Sequence, residues 1–153
     1  MNHNDYLKLA IQKAKESVDK GGFPAGAVLV KDGEVVAEGV SLGFLLHDPT
    51  SHAETATVRE ACQKLETTDL SGLVLYASLQ PCVMCYCTSN WARISKIVYG
   101  CKKTEEMVNK DYYEGMHDIQ AINSKSNHKI QLEYISDYED EMIQFISEWE
   151  KSL

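Results

Sequence analysis

Two short clusters restrict this chain more than anything else in it: His52-Ala53-Glu54 and, thirty residues on, Pro81-Cys82-Val83-Met84-Cys85. Read alone, Cys82 and Cys85 are ambiguous. Two cysteines three apart make half of a structural zinc knuckle, a redox dithiol or a coincidence. His52 narrows the choice. Zinc binds Cys sulfur and His nitrogen tetrahedrally, and a catalytic site keeps three protein ligands and one open position. His52, Cys82 and Cys85 supply three, and no second Cys-x-x-Cys or His-x-x-x-His completes a closed site. Glu54 is then free to be a base rather than a ligand. The redox pair is weakened by His52-x-Glu54, and the purely structural zinc by its missing fourth ligand.

The segments around the clusters read as alternating helices and strands. Asn4 or Asp5 is placed to cap a first helix, on which Leu7, Ala10, Ile11, Ala14 and Val18 share a face. Gly21-Gly22 ends it. Ala27 to Lys31 reads as a strand, Asp32-Gly33 as a hairpin turn and Val35 to Glu38 as the returning strand. Residues 39–51 read as a loop. Thr50 or Ser51 then caps a helix over 52–66, with Val58, Ala61, Cys62 and Leu65 inward. The unbroken apolar run from Leu73 to Ser78 predicts a strand covered on both faces. Pro81 suits the start of a third helix, over 82–93. Ile97 to Tyr99 reads as a short strand, and residues 104–128 are polar with a few helical turns. Ile130, Leu132 and Tyr134 alternate at strand spacing, and Met142, Phe145, Ile146 and Trp149 mark a last amphipathic helix. This order, in one domain over 1–153, predicts an α/β chain: a three-layer α/β/α sandwich around a mixed five-stranded sheet.

Composition excludes more than it selects. A chain of 153 residues has room for one well-buried core. The net charge of −8 argues against a broad phosphate-binding surface. No apolar run approaches the roughly 18 residues of a membrane span, and Met1-Asn2-His3-Asn4-Asp5 lacks the pattern of a signal peptide. Five cysteines, two of them in the motif, predict a reduced, cytoplasmic protein. Cys87 and Cys101 read as idle or buried thiols and Cys62 as core.

Both clusters open helices. A spacing of three puts the Cys82 and Cys85 sulfurs on one side of a first turn, where the helix dipole favours thiolate. Two helix starts at neighbouring strand ends converge on one metal. Zn²⁺, two thiolates and a neutral imidazole sum to zero charge, and zinc lowers the pKa of a bound water from about 15.7 towards about 7.

His-x-Glu with Pro-Cys-x-x-Cys is a known signature of zinc-dependent nucleobase deaminases. The chain resembles the cytidine deaminase superfamily, and within it the guanine deaminase and tRNA adenosine deaminase branch. The resemblance runs from Gly26-Ala27-Val28-Leu29-Val30-Lys31-Asp32-Gly33, through Asp48-Pro49-Thr50-Ser51-His52-Ala53-Glu54, to Pro81-Cys82-Val83-Met84-Cys85 and Trp91-Ala92-Arg93. It implies Zn²⁺ on His52, Cys82 and Cys85. It implies that Glu54 moves protons from water to a ring nitrogen and then to the leaving amine, so that one carboxylate suffices. It also implies a homodimer, and substrate contacts from Ala53 and from the ring face of Trp91.

Two further substrate positions depart from the branch. An Asn after the second strand usually hydrogen-bonds the base. Counting back from His52 that position is Ser41, whose single hydroxyl cannot reproduce an amide's paired donor and acceptor. Guanine deaminases hold the purine with a late acidic residue, for which Glu114 is the nearest candidate. Tyr86-Cys87-Thr88-Ser89-Asn90 is also bulkier than the small residues usual there. The expectation is a zinc hydrolase acting on a small amino-substituted heterocyclic base, guanine to xanthine and ammonia first, with no nucleic acid or membrane partner. A tRNA adenosine deaminase, a deaminase of cytosine or another aminated heterocycle, and a non-catalytic zinc-retaining binding module are the alternatives.

Overall fold

A computed structural model describes every residue from Met1 to Leu153. Five strands form one sheet: β1 (Phe23–Lys31), β2 (Glu34–Ser41), β3 (Val74–Ala77), β4 (Lys96–Tyr99) and β5 (Gln131–Tyr134), in the order β2-β1-β3-β4-β5. β1 is antiparallel to both neighbours, and β3, β4 and β5 are mutually parallel. β2 therefore points the same way as β3 to β5, so four carboxyl ends share one edge. Open α/β sheets gather ligands at that edge.

Side chains alternate across the sheet and build two cores. Val28, Val30, Tyr76 and Val98 face Tyr6, Leu7 and Ala10 of helix α1 (His3–Asp19). Ala27, Leu29, Leu75 and Ile97 share the larger core with Ala53, Val58 and Ala61 of α3 (Ala53–Leu65) and with Tyr86 of α4 (Val83–Trp91). Helix α7 (Glu139–Lys151) lies beside α1, where Lys15 Nζ approaches Glu141 to 3.9 Å. Trp149 on α7 meets Phe23 edge-on, the packing role its helical spacing predicts. The result is the expected three-layer sandwich around a mixed five-stranded sheet.

Several boundaries differ from expectation, each for a local reason. Asn2 caps α1, not Asn4 or Asp5; Asp5 is the reciprocal partner in a capping box, since its carboxylate accepts the Asn2 N–H. Asp32 and Gly33 both have positive φ, 49° and 81°, as a tight hairpin turn requires. β2 runs on to Ser41, and a one-turn helix α2 (Gly43–Leu46) interrupts the expected loop. Gly39 is where β2 and α3 touch: a Cβ there would lie 2.5 Å from the Ala53 carbonyl oxygen. The polar stretch after β4 holds two short helices, α5 (Glu105–Asn109) and α6 (Ile119–Ser124).

Candidate active site

The two clusters meet at the carboxyl edge of the sheet, each at a helix N-cap. His52 is the N-cap of α3 and Cys82 that of α4, and neither side chain makes a capping bond. Thr50 and Ser51, expected to cap α3, do not. The Thr50 amide and hydroxyl both go to the Asp48 carboxylate, which folds the loop ahead of the helix. Both N-cap side chains turn to each other instead, with Cys82 Sγ 3.5 Å from His52 Nδ1. Zn–S and Zn–N bonds of about 2.3 and 2.05 Å at a tetrahedral angle separate sulfur and nitrogen by about 3.5 Å. The donor atoms of His52, Cys82 and Cys85 all lie within 4.8 Å of one another. Two sulfurs and one imidazole nitrogen so disposed fit zinc in both spacing and ligand chemistry.

Electrostatics agree. The Cys85 thiol donates to Cys82, which brings Cys82 down to about 6. The same bond, then burial, raises Cys85 well above an ordinary thiol. A cation bound by both sulfurs would take the place of the remaining thiol proton. The hydrogen bond with Cys82 raises His52. Glu54, on the first turn of α3, is 7% exposed, and burial followed by the Cys82 charge raises it to about 7. A carboxyl group so placed exchanges protons near neutral pH, as a general acid–base must.

The other candidate residues fare differently. Ala53 is fully buried, and its carbonyl accepts the Thr57 hydroxyl at 2.7 Å. Ser41 ends β2, with its amide donating to Ser17 Oγ and its carbonyl accepting from the same hydroxyl, while its own hydroxyl has no partner in the chain. Glu114 comes to the site from 30 residues past Met84: its carboxylate accepts the Met84 and Val83 amides at 3.0 and 3.3 Å. Burial opposes ionisation of Glu114, but those amides outweigh it and its pKa falls. Trp91 is the most exposed of the candidates. It ends α4, six residues past Cys85 and so about 9 Å along the axis, and it is 85% exposed. Within a single chain its ring face is therefore open to solvent.

Tyr113 and Thr55 were missed by reading the sequence. Tyr113 donates to the Gln80 carbonyl at 2.7 Å, beside the metal-binding turn, and Thr55 donates to Cys85 Sγ at 3.2 Å. Neither belongs to a motif; Thr55 alone gave a signal, as a polar residue directly after Glu54. Cys101 is buried, Cys62 and Cys87 are half-buried, and all five cysteines are unpaired.

Residues 1–101 match the cytidine and deoxycytidylate deaminase zinc-binding region. The chain belongs to this family. It is a zinc-dependent hydrolytic deaminase. Guanine deaminase from Bacillus subtilis is 42% identical over 106 residues, covering 69% of this chain and 68% of that one. A tRNA-specific adenosine deaminase from Aquifex aeolicus is 39% identical over 99 residues, covering 65% and 66%. Each match spans about two thirds of the relative. The solved structure of the B. subtilis guanine deaminase superposes over 99% of this chain and 95% of that one, with 32% identity and a TM-score of 0.69.

Proposed function

We propose that this deaminase acts on a free amino-substituted purine, guanine first, converting guanine and water to xanthine and ammonia. The observation that carries the reading is Glu114. It lies beyond the stretch that defines the family, yet its carboxylate sits beside Cys82 on the first turn of α4. A carboxylate has about four acceptor sites. Two are given to amides, which leaves capacity for a ring N–H and an exocyclic amine, the paired donors that guanine presents.

His52, Cys82 and Cys85 would hold the zinc, whose Lewis acidity would supply a water-derived nucleophile at neutral pH. Glu54 accepts the water proton and delivers it to the ring nitrogen beside the amine-bearing carbon. It then passes the second proton to the departing amine, so that ammonia leaves and a ring carbonyl remains. Burial of Glu54 keeps bulk water from that transfer. By the resemblance Ser41 takes the position of the base-contacting Asn, and its unengaged hydroxyl offers one donor or acceptor at a time.

The extended match to a guanine deaminase and a net charge of −8 favour a small base over tRNA. The second reading, tRNA adenosine deamination, draws on the A. aeolicus relative. Ammonia release measured over guanine, adenine, cytosine, their nucleosides, pterins, triazines and an anticodon stem-loop separates them. Turnover confined to the stem-loop would refute the free-base reading.

A further inference from the structure

Threonine and serine inside a helix commonly return their hydroxyl to the carbonyl one turn back. Around this site Thr57 does so to Ala53 at 2.7 Å, Thr88 to Met84 at 3.0 Å and Ser89 to Cys85 at 2.8 Å. Thr55 does not. Its hydroxyl crosses from α3 to α4 and donates to the Cys85 sulfur at 3.2 Å. The other acceptor in reach, Thr88 Oγ1, is more distant at 3.5 Å. As a metal ligand the Cys85 sulfur would be a thiolate, the stronger acceptor of the two.

The surroundings make that one bond matter. Cys85 is fully buried and Thr55 is 6% exposed, so water has little access to the sulfur. Cys82 has other support, from the Cys85 amide and from His52. A buried thiolate left without a donor is costly. Outer partners of metal ligands fix ligand orientation and tune the metal.

We propose that Thr55 is a positioning residue for the metal centre: its hydroxyl orients the Cys85 thiolate and withdraws charge from it, which tightens metal retention and leaves the metal more electron-poor. This rests on the assignment of His52, Cys82 and Cys85 as the zinc ligands. Thr55 is not among the metal-ligand candidates and acts through Cys85.

The test replaces zinc with cobalt(II) and records the thiolate-to-cobalt charge-transfer band in wild type, Thr55→Val and Thr55→Ser. Valine keeps the volume and β-branch but removes the donor; serine keeps the donor. The band of Thr55→Val should move to longer wavelength, because the sulfur lone pair rises in energy without its hydrogen bond. Metal loss to a chelator should quicken roughly 10-fold, at the lower end of the range for such outer partners. Thr55→Ser should restore both. An unchanged band and chelator rate in Thr55→Val overturns the proposal, because a purely structural role would alter stability and leave the band in place. If the valine variant folds poorly, Thr55→Ala decides on the same readout. A wild-type protein that binds cobalt with no charge-transfer band refutes the ligand assignment itself, which distinguishes that failure from failure of Thr55.

Discussion

Glu114 caps α4 through Met84, accepting its amide at 3.0 Å across 30 residues of chain. The residue that would ordinarily cap this helix is Cys82, and its sulfur faces His52. A distant carboxylate thus does what the N-cap side chain cannot. Glu114→Ala should lower stability by about 1 kcal/mol, the usual worth of a cap. For a chain of this size that is a fall in Tm of roughly 2–4 °C. Glu114→Gln, which can still accept one amide, should lose less stability but still lose kcat/KM for guanine, since its one oxygen, already accepting a main-chain amide, cannot also accept from two base donors. Thermal melts and kinetics on the pair separate the two roles. A glutamine variant with full guanine efficiency removes Glu114 from substrate binding.

Glu54→Gln keeps size and polarity but cannot carry a proton. Zinc content and Tm should stay near wild type, while turnover falls by roughly 10²–10⁴-fold, the range for losing a general acid–base. Turnover near wild type in that variant would take Glu54 out of the mechanism.

Purified protein should contain one zinc per chain by elemental analysis. Chelation should lower the Tm, because metal bound only by the folded chain stabilises it by mass action. Cys82→Ser should reduce zinc content. Full activity in metal-free protein with a Cys82–Cys85 disulfide would instead favour the redox reading of the pair.

Ser41→Asn supplies a paired donor and acceptor at the end of β2. It should raise kcat/KM for guanine and lower it for whichever other ring the native pocket prefers. Sites that hydrogen-bond a ring polar group can reject analogues lacking it by about 10⁴–10⁵, so even partial restoration should be measurable. Two unchanged ratios would show that Ser41 does not face the base.

A net charge of −8 predicts weak binding to an anticodon stem-loop at physiological salt. Titrating salt against binding checks this. Salt-resistant binding with inosine formation would promote the tRNA reading over the free base.

The sequence by itself determined the sheet-and-helix order, the family and the three zinc-ligand candidates. Each rests on local chemistry. Helical and strand periodicity is written into consecutive residues, and Asp32-Gly33 carries its own turn. His52 with Glu54, and Cys82 with Cys85, are brought together by the helix starts they occupy. Only the tertiary structure decided what surrounds those ligands. Thr55 reads as one more polar helix residue until α3 and α4 pack and bring its hydroxyl to Cys85. Glu114 lies in a polar stretch without periodicity, and its place beside Met84 follows from the path of the chain after β4. Trp91 reads as a pocket residue by resemblance, but α4 ends with its ring in solvent. The difference is physical: ligand spacing within a helical turn is set by neighbours along the chain, whereas a hydrogen bond between residues 30 apart depends on how whole elements pack.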